Sequence, residues 1–598
     1  MARHLGGVSL GLLAFSFSVS ASAQLGNVAF QQAEVGKPLA SFNETTFTGP
    51  PGGSNTVLML RKYMLVMGSK DSGVPDGPMH IFDVQDPRKP KLLKRYTSPE
   101  TAKLRELHAM PVAMLDGHDI LVMPTITGVQ FFDYTDPLNP KPSGNLTLEG
   151  VNGGDYDNAA WMLSWAWPYV YVGGTGNGIY VVDAHDPMKP KLVTRIQTGE
   201  LGGFRIGPVY AAGNYIVASG MDGVPTKMSV LDAGDPASPF LLATAQAPSP
   251  MYSSVVIGDR IYGTGEGGQY SFMKWTPTAI QVIGTKVKMG SDKGGYCTYQ
   301  DAFIFCGQSS EGFRKIDVSD EKNFHEVETF DIPNEATADT DFATVLGNLV
   351  YLGNDHGTGA ALFAHQMAPD TNPPKLLKGY PENGDLHQPL GSRITLFFSD
   401  EIDLDSVKPE NVIVRPVNGE AISGVFSHSS FNAVSFGAKE SLKSNTTYEV
   451  VVVKGGLTDL AKNPIAEQSV LRFSTGDTIE TPTNTGGSGG MSMGGSAGSA
   501  GDAPSGAGMA GTTMSSGGSS SSSAGTANSS AGTGTSDVAG SSSAGATATG
   551  GSAATPEDAG GCGCAVPGHE PSGRGLWLLG AGLLAGWRRR NRVRGARL

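Results

Sequence analysis

Seven positions share one expected place in the fold and carry most of the chemistry that the sequence offers. They are Asn55, His108, Asn158, Arg205, Tyr252, Tyr296 and Asp341. Each precedes an apolar segment in one copy of a repeat, so each would reach the same mouth of a central channel if the copies surround a common axis. Such a ring could bind a sugar or an anionic ligand, or support acid–base catalysis by His108 with Asp341. The alternative is that these side chains only close strand ends and contact water.

No known catalytic sequence motif supports a catalytic role for that ring. The sequence contains neither His-Glu-x-x-His nor a phosphate-binding P-loop. Residues 486–490 fit the spacing of a nucleophile elbow only because this stretch consists of Gly and Ser. We therefore favour a protein without catalytic residues, and we predict no cofactor and no bound metal.

The repeat that would position the ring has the core Asp-x-x-Asp-Pro and recurs about every 50 residues. Five copies are clear, and residues 272–277 and 362–374 supply two weaker ones, which makes seven. The aspartates of the clear copies are Asp83 and Asp86, Asp133 and Asp136, Asp183 and Asp186, Asp232 and Asp235, and Asp317 and Asp320. The second Asp of each copy can accept hydrogen bonds from backbone amides of a turn, and the following Pro presets φ for that turn. Calcium binding by these turns is the alternative, but the Asp pairs lack the dense oxygen spacing of a calcium loop.

Each copy contains four short strand-like segments separated by turn residues, which is typical of one propeller blade. The copies resemble LVIVD repeats, a bacterial surface β-propeller family, over residues 44–372. We therefore predict an all-β fold that begins with a seven-bladed β-propeller. Cys297 and Cys306 would face each other across a hairpin whose turn is Asp301-Ala302, so we expect a disulfide there.

Residues 375–476 change pattern and predict a second, sandwich-like domain. Alternating or apolar segments at 393–398, 412–414, 433–436, 447–453 and 470–473 have the spacing of a β-sandwich. The stretch resembles a bacterial Ig-like domain of the S-layer type through Phe398-Ser-Asp-Glu-Ile-Asp403, Asp459-Leu-Ala-Lys-Asn463-Pro464 and Phe473-Ser-Thr-Gly476. The resemblance implies a spacer or a binding module.

The ends of the chain indicate export. Residues 1–23 have the charge, apolar core and small-residue cleavage site of a signal peptide, and residues 478–561 form a disordered Gly/Ser-rich stalk. Residues 562–598 contain Cys562 and Cys564, a short hydrophobic helix and an Arg cluster. This tail resembles the MYXO-CTERM sorting signal, which implies processing or lipid attachment at Cys562 or Cys564. A metal-binding or redox pair of cysteines is the alternative.

Composition narrows the function classes. The formal net charge of −13 argues against nucleic acid as a partner. The sequence contains no run of ~20 apolar residues, so it does not predict a polytopic membrane protein, and we expect membrane contact by the C-terminal tail only.

We predict an exported binding or adhesion protein on the surface or outer membrane of a Gram-negative bacterium, specifically a myxobacterium. Its partners would be a surface glycan or protein and the sorting machinery. The alternatives are a secreted enzyme acting on polysaccharide or peptide at the channel mouth, and a structural envelope protein.

Overall fold

The computed structural model describes residues 34–47, 56–68, 75–221, 226–284, 287–291, 293–330, 340–354, 359–430 and 432–482. The predicted signal peptide, Asn55, the stalk from residue 483 on, Cys562, Cys564 and the C-terminal hydrophobic helix lie outside these residues. The fold is all-β, as predicted, and its only α-helix within the described ranges has four residues. In this part of the chain the helices are too short to span a lipid bilayer.

Successive groups of antiparallel strands make up the larger part of the fold. The first described elements are β1 (Pro38–Phe42) and α1 (Glu44–Phe47). The first sheet contains β2 (Val57–Leu60), β3 (Tyr63–Met67), β4 (Met79–Asp83) and β5 (Lys91–Tyr96), and the second contains β6 (Val112–Leu115), β7 (His118–Thr125), β8 (Gly128–Asp133) and β9 (Lys141–Thr147). The third contains β10 (Leu163–Ala166), β11 (Tyr169–Gly173), β12 (Ile179–Asp183) and β13 (Lys191–Ile196). The fourth sheet contains β14 (Ile206–Ala212), β15 (Tyr215–Gly220), β16 (Lys227–Asp232) and β17 (Phe240–Gln246). The fifth contains β18 (Ser253–Ile257), β19 (Arg260–Gly265), β20 (Gln269–Thr276) and β21 (Ala279–Val282), and β22 (Val287–Lys288) also pairs with β20. The sixth contains β23 (Cys297–Gln300), β24 (Phe303–Gly307), β25 (Phe313–Asp317) and β26 (His325–Phe330), and the last contains β27 (Thr340–Leu346), β28 (Leu349–Asn354) and β29 (Ala360–Ala364). Short 3₁₀ segments occur at Thr101–Lys103, Tyr156–Asn158, Thr198–Leu201, Glu266–Gly268 and Leu404–Ser406.

Burial falls from the first strand of a sheet to the fourth. The first strands, such as β10 and β18, are buried throughout, whereas the fourth strand β26 alternates between exposed and half-buried residues. This gradient is expected when first strands surround an axis and fourth strands form the outer edge, as in a β-propeller. The sequence follows the same gradient, because the inner strands are runs of apolar residues and the outer strands alternate with charged ones.

The last sheet takes its fourth strand from the beginning of the chain. Strand β1 pairs antiparallel with β29, with Phe42 opposite Ala360. The predicted propeller starts at residue 44, but this strand lies before that position. It was missed because an isolated strand without the Asp-x-x-Asp-Pro turn gives no repeat signal.

The repeated aspartates shape the turn between the third and fourth strands. The first Asp of each clear copy accepts a hydrogen bond from the backbone N–H two residues later, over 2.6–2.9 Å: Asp83 from Gln85, Asp133 from Thr135, Asp183 from His185, Asp232 from Gly234 and Asp317 from Ser319. The second Asp accepts in the same way over 2.9–3.2 Å: Asp86 from Arg88, Asp136 from Leu138, Asp186 from Met188, Asp235 from Ala237 and Asp320 from Lys322. Each side chain thus satisfies an amide that the turn leaves without a backbone partner.

The predicted disulfide is confirmed. Cys297 lies opposite Cys306 in the β23–β24 pair, with their Cα atoms 4.1 Å apart, and the two sulfur atoms are bonded. Asp301 and Ala302 form the two-residue turn with φ of 46° and 66°, which is the backbone conformation that a tight hairpin requires.

The second domain is a β-sandwich of two sheets. Its strands are β30 (Leu376–Tyr380), β31 (Arg393–Phe398), β32 (Val412–Pro416), β33 (Gly424–Ser430), β34 (Ala433–Ala438), β35 (Thr447–Val452) and β36 (Ser469–Ser474). One sheet has the order β30-β31-β34-β33, and the other has the order β32-β35-β36. The apolar faces of both sheets, including Leu396, Phe426, Val450 and Phe473, pack together in one core.

The sandwich is joined to the propeller by a continuous sheet. Strand β33 pairs antiparallel with β6, the first strand of the second propeller sheet, so that eight strands form one hydrogen-bonded surface. Ser427 on β33 donates to Trp165 O at 2.8 Å and accepts from Trp167 N at 3.1 Å, which ties it to the third sheet as well. Since first strands line the channel, β33 lies against the inner wall.

The turns that connect first and second strands lie at one end of the propeller, which we call the hairpin end. Gly213 N donates to Thr395 Oγ1 at 2.9 Å, and Asn214 accepts from Arg393 N at 3.1 Å. Asp301 N donates to Ser399 O at 2.8 Å. Two turns from different sheets therefore hold the sandwich, which is docked on the propeller.

Candidate functional site

The opposite end of the propeller carries a cluster of aromatic side chains around His108. We define the mouth cluster as His108, Trp161, Tyr252, Tyr296, Asp341 and Phe342. Except for His108, these residues lie at or within two positions of the start of a first strand. Backbone hydrogen bonds hold them there: Tyr252 N donates to Thr264 O at 2.7 Å, and Tyr296 N donates to Asp341 O at 2.6 Å.

His108 is enclosed by rings from three other sheets. Its imidazole stacks on Tyr296 with ring centroids 4.4 Å apart, and it lies 4.5 Å from Trp161 and 5.7 Å from Phe342. Nδ1 is 2.9 Å from Trp161 O, and Nε2 is 3.1 Å from Glu106 Oε1. Only 1% of His108 is exposed, so its ring acts as a packing element between the sheets.

Direct hydrogen bonds and ring contacts extend the cluster across the channel. Trp161 Nε1 donates to Tyr296 Oη at 2.6 Å. Tyr252 meets Tyr296 edge to face at 5.6 Å, and Tyr296 stacks on Phe342 at 4.4 Å. Aromatic contacts of this kind stabilise beyond the area that they bury. The cluster is therefore a rigid floor, built from five sheets.

The electrostatics of the floor keep its phenols neutral. Burial raises the pKa of Tyr252 and of Tyr296 well above the ordinary value, and the nearby Asp341 charge raises both further. Both hydroxyl groups therefore stay protonated and able to donate hydrogen bonds at any physiological pH. The Arg105 guanidinium lies 4.7 Å from the Trp161 ring centroid, which places a positive charge against the same floor.

A partly exposed rim surrounds the floor. We define the rim as Tyr156, Asp157, Arg205 and Lys293. Arg205 forms an ion pair with Asp157 and lies 5.3 Å from the Tyr156 ring centroid. Lys293 Nζ is 3.3 Å from the Tyr252 ring centroid, so it connects the rim to the floor. These side chains offer a solvent-accessible set of donors, acceptors and ring faces.

The structure places the ring residues predicted from sequence in two layers. His108, Tyr252, Tyr296 and Asp341 lie in the floor, where each is less than 5% exposed. Arg205 lies in the rim, and Asn158 lies beside it, with its side chain donating to Asp155 Oδ2 at 2.7 Å. Asn55 lies outside the described residues.

Sequence reasoning missed Trp161, Phe342, Glu106 and the three rim residues Tyr156, Asp157 and Lys293. The repeat alignment assigned Asn158 to the third sheet, whereas the residue that reaches the floor from this sheet is Trp161. An aromatic residue next to the start of the first strand in four copies was the available signal. The charged residues could not be located from sequence, because they lie on irregular segments that differ between copies.

The Ig-like domain reaches the floor from the other side. Phe397 and Ala433, at the adjacent ends of β31 and β34, belong to the same apolar cluster as Trp161, Tyr252 and Phe342. Side chains of the β-sandwich therefore enter the same apolar core as the mouth cluster. A ligand at this site would contact the rim and the outer face of the floor.

This geometry favours binding over catalysis. The two ring nitrogens of His108 are engaged by Trp161 O and Glu106, and the ring is buried. A general acid or base must reach the proton that it transfers. The exposed groups of the rim are a guanidinium, an ammonium, a carboxylate and an aromatic ring, which suit recognition of a polar ligand.

Comparisons with known proteins give weak overall likeness and one family match. The chain is similar to the computationally designed Ika8 protein (13% identity, TM-score 0.36), covering 55% of this chain and 100% of that one. It is also similar to the β-propeller domain of Cps50 (Swd1) from Myceliophteria thermophila (8% identity, TM-score 0.40, 52% and 97% covered) and to a structure of the mitotic checkpoint complex (10% identity, TM-score 0.40, 60% and 99% covered). No curated protein sequence matches the chain. Residues 370–475 match the bacterial Ig-like domain family, so the β-sandwich docked on the propeller is a bacterial Ig-like domain.

Proposed function

We propose that the protein is an exported cell-surface binding protein that recognises its ligand at the mouth of a seven-bladed propeller. Each group of strands from β2 to β29 would supply one blade, and β1 would complete the last. The observation that carries the proposal is the convergence of side chains from several sheets on one mouth, while the hairpin end is occupied by the Ig-like domain. Among the residues that the structure describes, the mouth presents a guanidinium, an ammonium, a carboxylate and aromatic rings close together.

The chemistry of the rim favours a glycan as the ligand. The Tyr156 ring presents an apolar face, and the paired Arg205 and Asp157 present a donor and an acceptor side by side. Sugars combine apolar C–H faces with closely spaced hydroxyl groups, so they match a surface of this composition. Lys293 adds a positive charge, which suits a glycan with carboxylate or sulfate groups.

The proposed surface location rests on features of the described structure and on patterns in the sequence. A bacterial Ig-like domain and a disulfide indicate an extracellular or surface protein. The signal peptide, the Gly/Ser stalk, the processing of Cys562 or Cys564 and display on a myxobacterial outer membrane remain parts of the proposal. They rest on the sequence patterns and the LVIVD and MYXO-CTERM resemblances.

The test is a binding assay with rim variants. We expect Arg205→Ala and Lys293→Ala each to weaken binding on a glycan array and to whole cells about tenfold or more, with stability changed by less than about 0.5 kcal/mol. Lys191→Ala is the matched control, because Lys191 is exposed on the outer strand β13. Equal binding by all three variants would contradict the proposal.

The same assay separates the other function classes. A protein partner would give binding to cells that survives removal of their glycans. Turnover of a polysaccharide or peptide that the rim variants abolish would favour the enzyme hypothesis. A structural envelope role would leave binding absent and alter only envelope integrity on deletion of the gene.

A further inference from the structure

Three buried aspartates meet at the junction between the propeller and the Ig-like domain. Asp370 lies in the segment between β29 and β30, Asp400 follows β31, and Asp459 lies between β35 and β36. Their carboxylate oxygens lie within 4.8 Å of one another, and their exposed fractions are 3%, 1% and 1%. Buried carboxylates this close repel each other strongly unless a cation or protons compensate their charge.

The hydrogen bonds at this cluster orient the carboxylates without neutralising them. Asp459 accepts from the backbone N and the side-chain amide of Asn463, at 2.8 and 2.9 Å. Asp400 accepts from Glu401 N at 2.7 Å. All of these donors are uncharged amides. Burial raises the pKa of Asp400 well above its ordinary value, and the charges of Asp459, Asp370 and Asp301 raise it further.

A buried amide from the propeller is aimed into the same cluster. Gln300, the last residue of β23, is 4% exposed, and its Nε2 is 2.9 Å from both Asp370 Oδ2 and Asp400 Oδ2. Its Oε1 is buried and has no hydrogen-bond partner among the described residues. A half-turn about the last side-chain bond exchanges the two atoms and directs this oxygen at the carboxylates.

We propose that Asp370, Asp400, Asp459 and the side-chain oxygen of Gln300 bind one calcium ion. All four donors are oxygen atoms, which hard cations prefer, and they come from four separate segments in an irregular arrangement that suits Ca²⁺ better than the strict octahedron of Mg²⁺. The ion would offset two of the three negative charges and give the Gln300 oxygen a partner. This proposal departs from the prediction of no metal, which weighed the aspartates of the repeat turns and the pair Cys562 and Cys564.

The cluster is one hydrogen bond from a surface groove and lies between the two domains. A surface groove lined by Asp301, Asn372, Lys375 and Ser399 lies beside the cluster, and Asn372 N donates to Asp370 Oδ1 at 3.0 Å. Because Gln300 belongs to the propeller and Asp400 and Asp459 to the Ig-like domain, the ion would tie the two domains together. Calcium would therefore stabilise the docked arrangement.

The test is calcium binding by the full chain after treatment with EDTA. Isothermal titration with CaCl₂ should give one site, and the Tm in excess Ca²⁺ should exceed that in EDTA by about 2–4 °C. Asp400→Asn and Asp459→Asn should abolish the site and the shift. Asp403→Asn is the matched control, because Asp403 is another buried carboxylate, 6% exposed, that pairs with Lys462 at 2.5 Å.

Folding of the variants is checked by a second measurement. In EDTA, Asp400→Asn should melt at or above the temperature of the unsubstituted protein, since the change removes one of the repelling charges while keeping the shape of the side chain. Absence of calcium binding by the unsubstituted chain would overturn the proposal. Tighter binding of Mg²⁺ than of Ca²⁺, or loss of binding in Asp403→Asn, would overturn it as well.

Discussion

The two ends of the propeller are built from the same repeated strands but are closed in different ways. At the hairpin end, backbone groups dominate: β33 pairs with β6, and turn residues such as Gly213 and Asp301 bond to the Ig-like domain. At the mouth, side chains dominate: His108, Trp161 and Tyr296 stack and bond to one another. The hairpin end therefore depends on close backbone approach, whereas the mouth depends on the identity of its residues.

This difference explains where a repeat protein can diversify. Backbone pairing at the hairpin end requires small residues and regular turns, which leaves little freedom for substitution. The residues beside the start of each first strand are less restricted, since their backbone groups bond to other backbone groups, as Tyr252 N does to Thr264 O and Tyr296 N to Asp341 O. We therefore expect changes at the hairpin end to affect stability and changes at the rim to affect binding.

The largest expected loss of stability comes from protonating two buried histidines in or beside the sheets that support both ends. Burial lowers the pKa of His80 to about 4 and that of His365 to about 3, each from 6.5. Because the folded pKa lies below the unfolded one, the stability present above pH 6.5 is lost as the pH falls toward 4. His80 alone should contribute a loss of about 3 kcal/mol.

Chemical denaturation at pH 7, 5.5 and 4.5 measures this loss. The variant His80→Gln should show a shallower dependence of the free energy of unfolding on pH than the unsubstituted protein. Identical slopes for the two proteins would show that His80 titrates normally in the folded state.

A smaller effect is expected from crowding the hairpin end. A Cβ atom on Gly437 would lie 2.1 Å from Trp167 O, so Gly437→Ala must displace β34 from the third sheet. We expect a loss of about 2–3 kcal/mol in the free energy of unfolding, with ligand binding at the rim retained in the folded fraction. Gly391→Ala is the matched control, because no atom lies within 4 Å of its added Cβ. Equal stability of the two variants would contradict the docking of the sandwich at this point.

The smallest effect is expected from a single hydroxyl group in the mouth cluster. Tyr296→Phe removes the acceptor of Trp161 Nε1 while keeping the stacked ring. Leaving this buried donor unpaired should cost about 1 kcal/mol, measured as a lower Tm by calorimetry. Tyr63→Phe provides the control, since Tyr63 is only half-buried on strand β3. A Tm that falls equally in both variants would show that the hydrogen bond contributes nothing specific.

Local sequence patterns were enough to predict the all-β class, the disulfide and the second, sandwich-like domain. All three follow from local chemistry: alternation, turn residues and the spacing of Cys297 and Cys306. In the sandwich, the five segments predicted as strands are strands, but β30 and β33 were missed. Strand β33 contains Ser427 and His428 at positions that look exposed, and its partner β6 lies in the other domain.

The candidate site was predictable only in part, for a related reason. His108, Tyr252, Tyr296 and Asp341 all lie near the start of a first strand, so the repeat located them together. The contacts of Glu106, Tyr156 and Lys293 depend on irregular segments whose paths no periodicity describes. The aspartates at the domain junction come from segments that are far apart in sequence, and nothing in their local spacing marks them as neighbours.

The pairing of β1 with β29 has a consequence for how the molecule matures. Strand β1 leaves the ribosome long before its partner β29, which is made only at the far end of the propeller. Until that partner arrives, the edge of β1 has nothing to bind, and the circle of sheets stays open. Closure therefore waits for complete synthesis, and a chain truncated anywhere before Ala360 would keep an unpaired edge that invites aggregation or degradation.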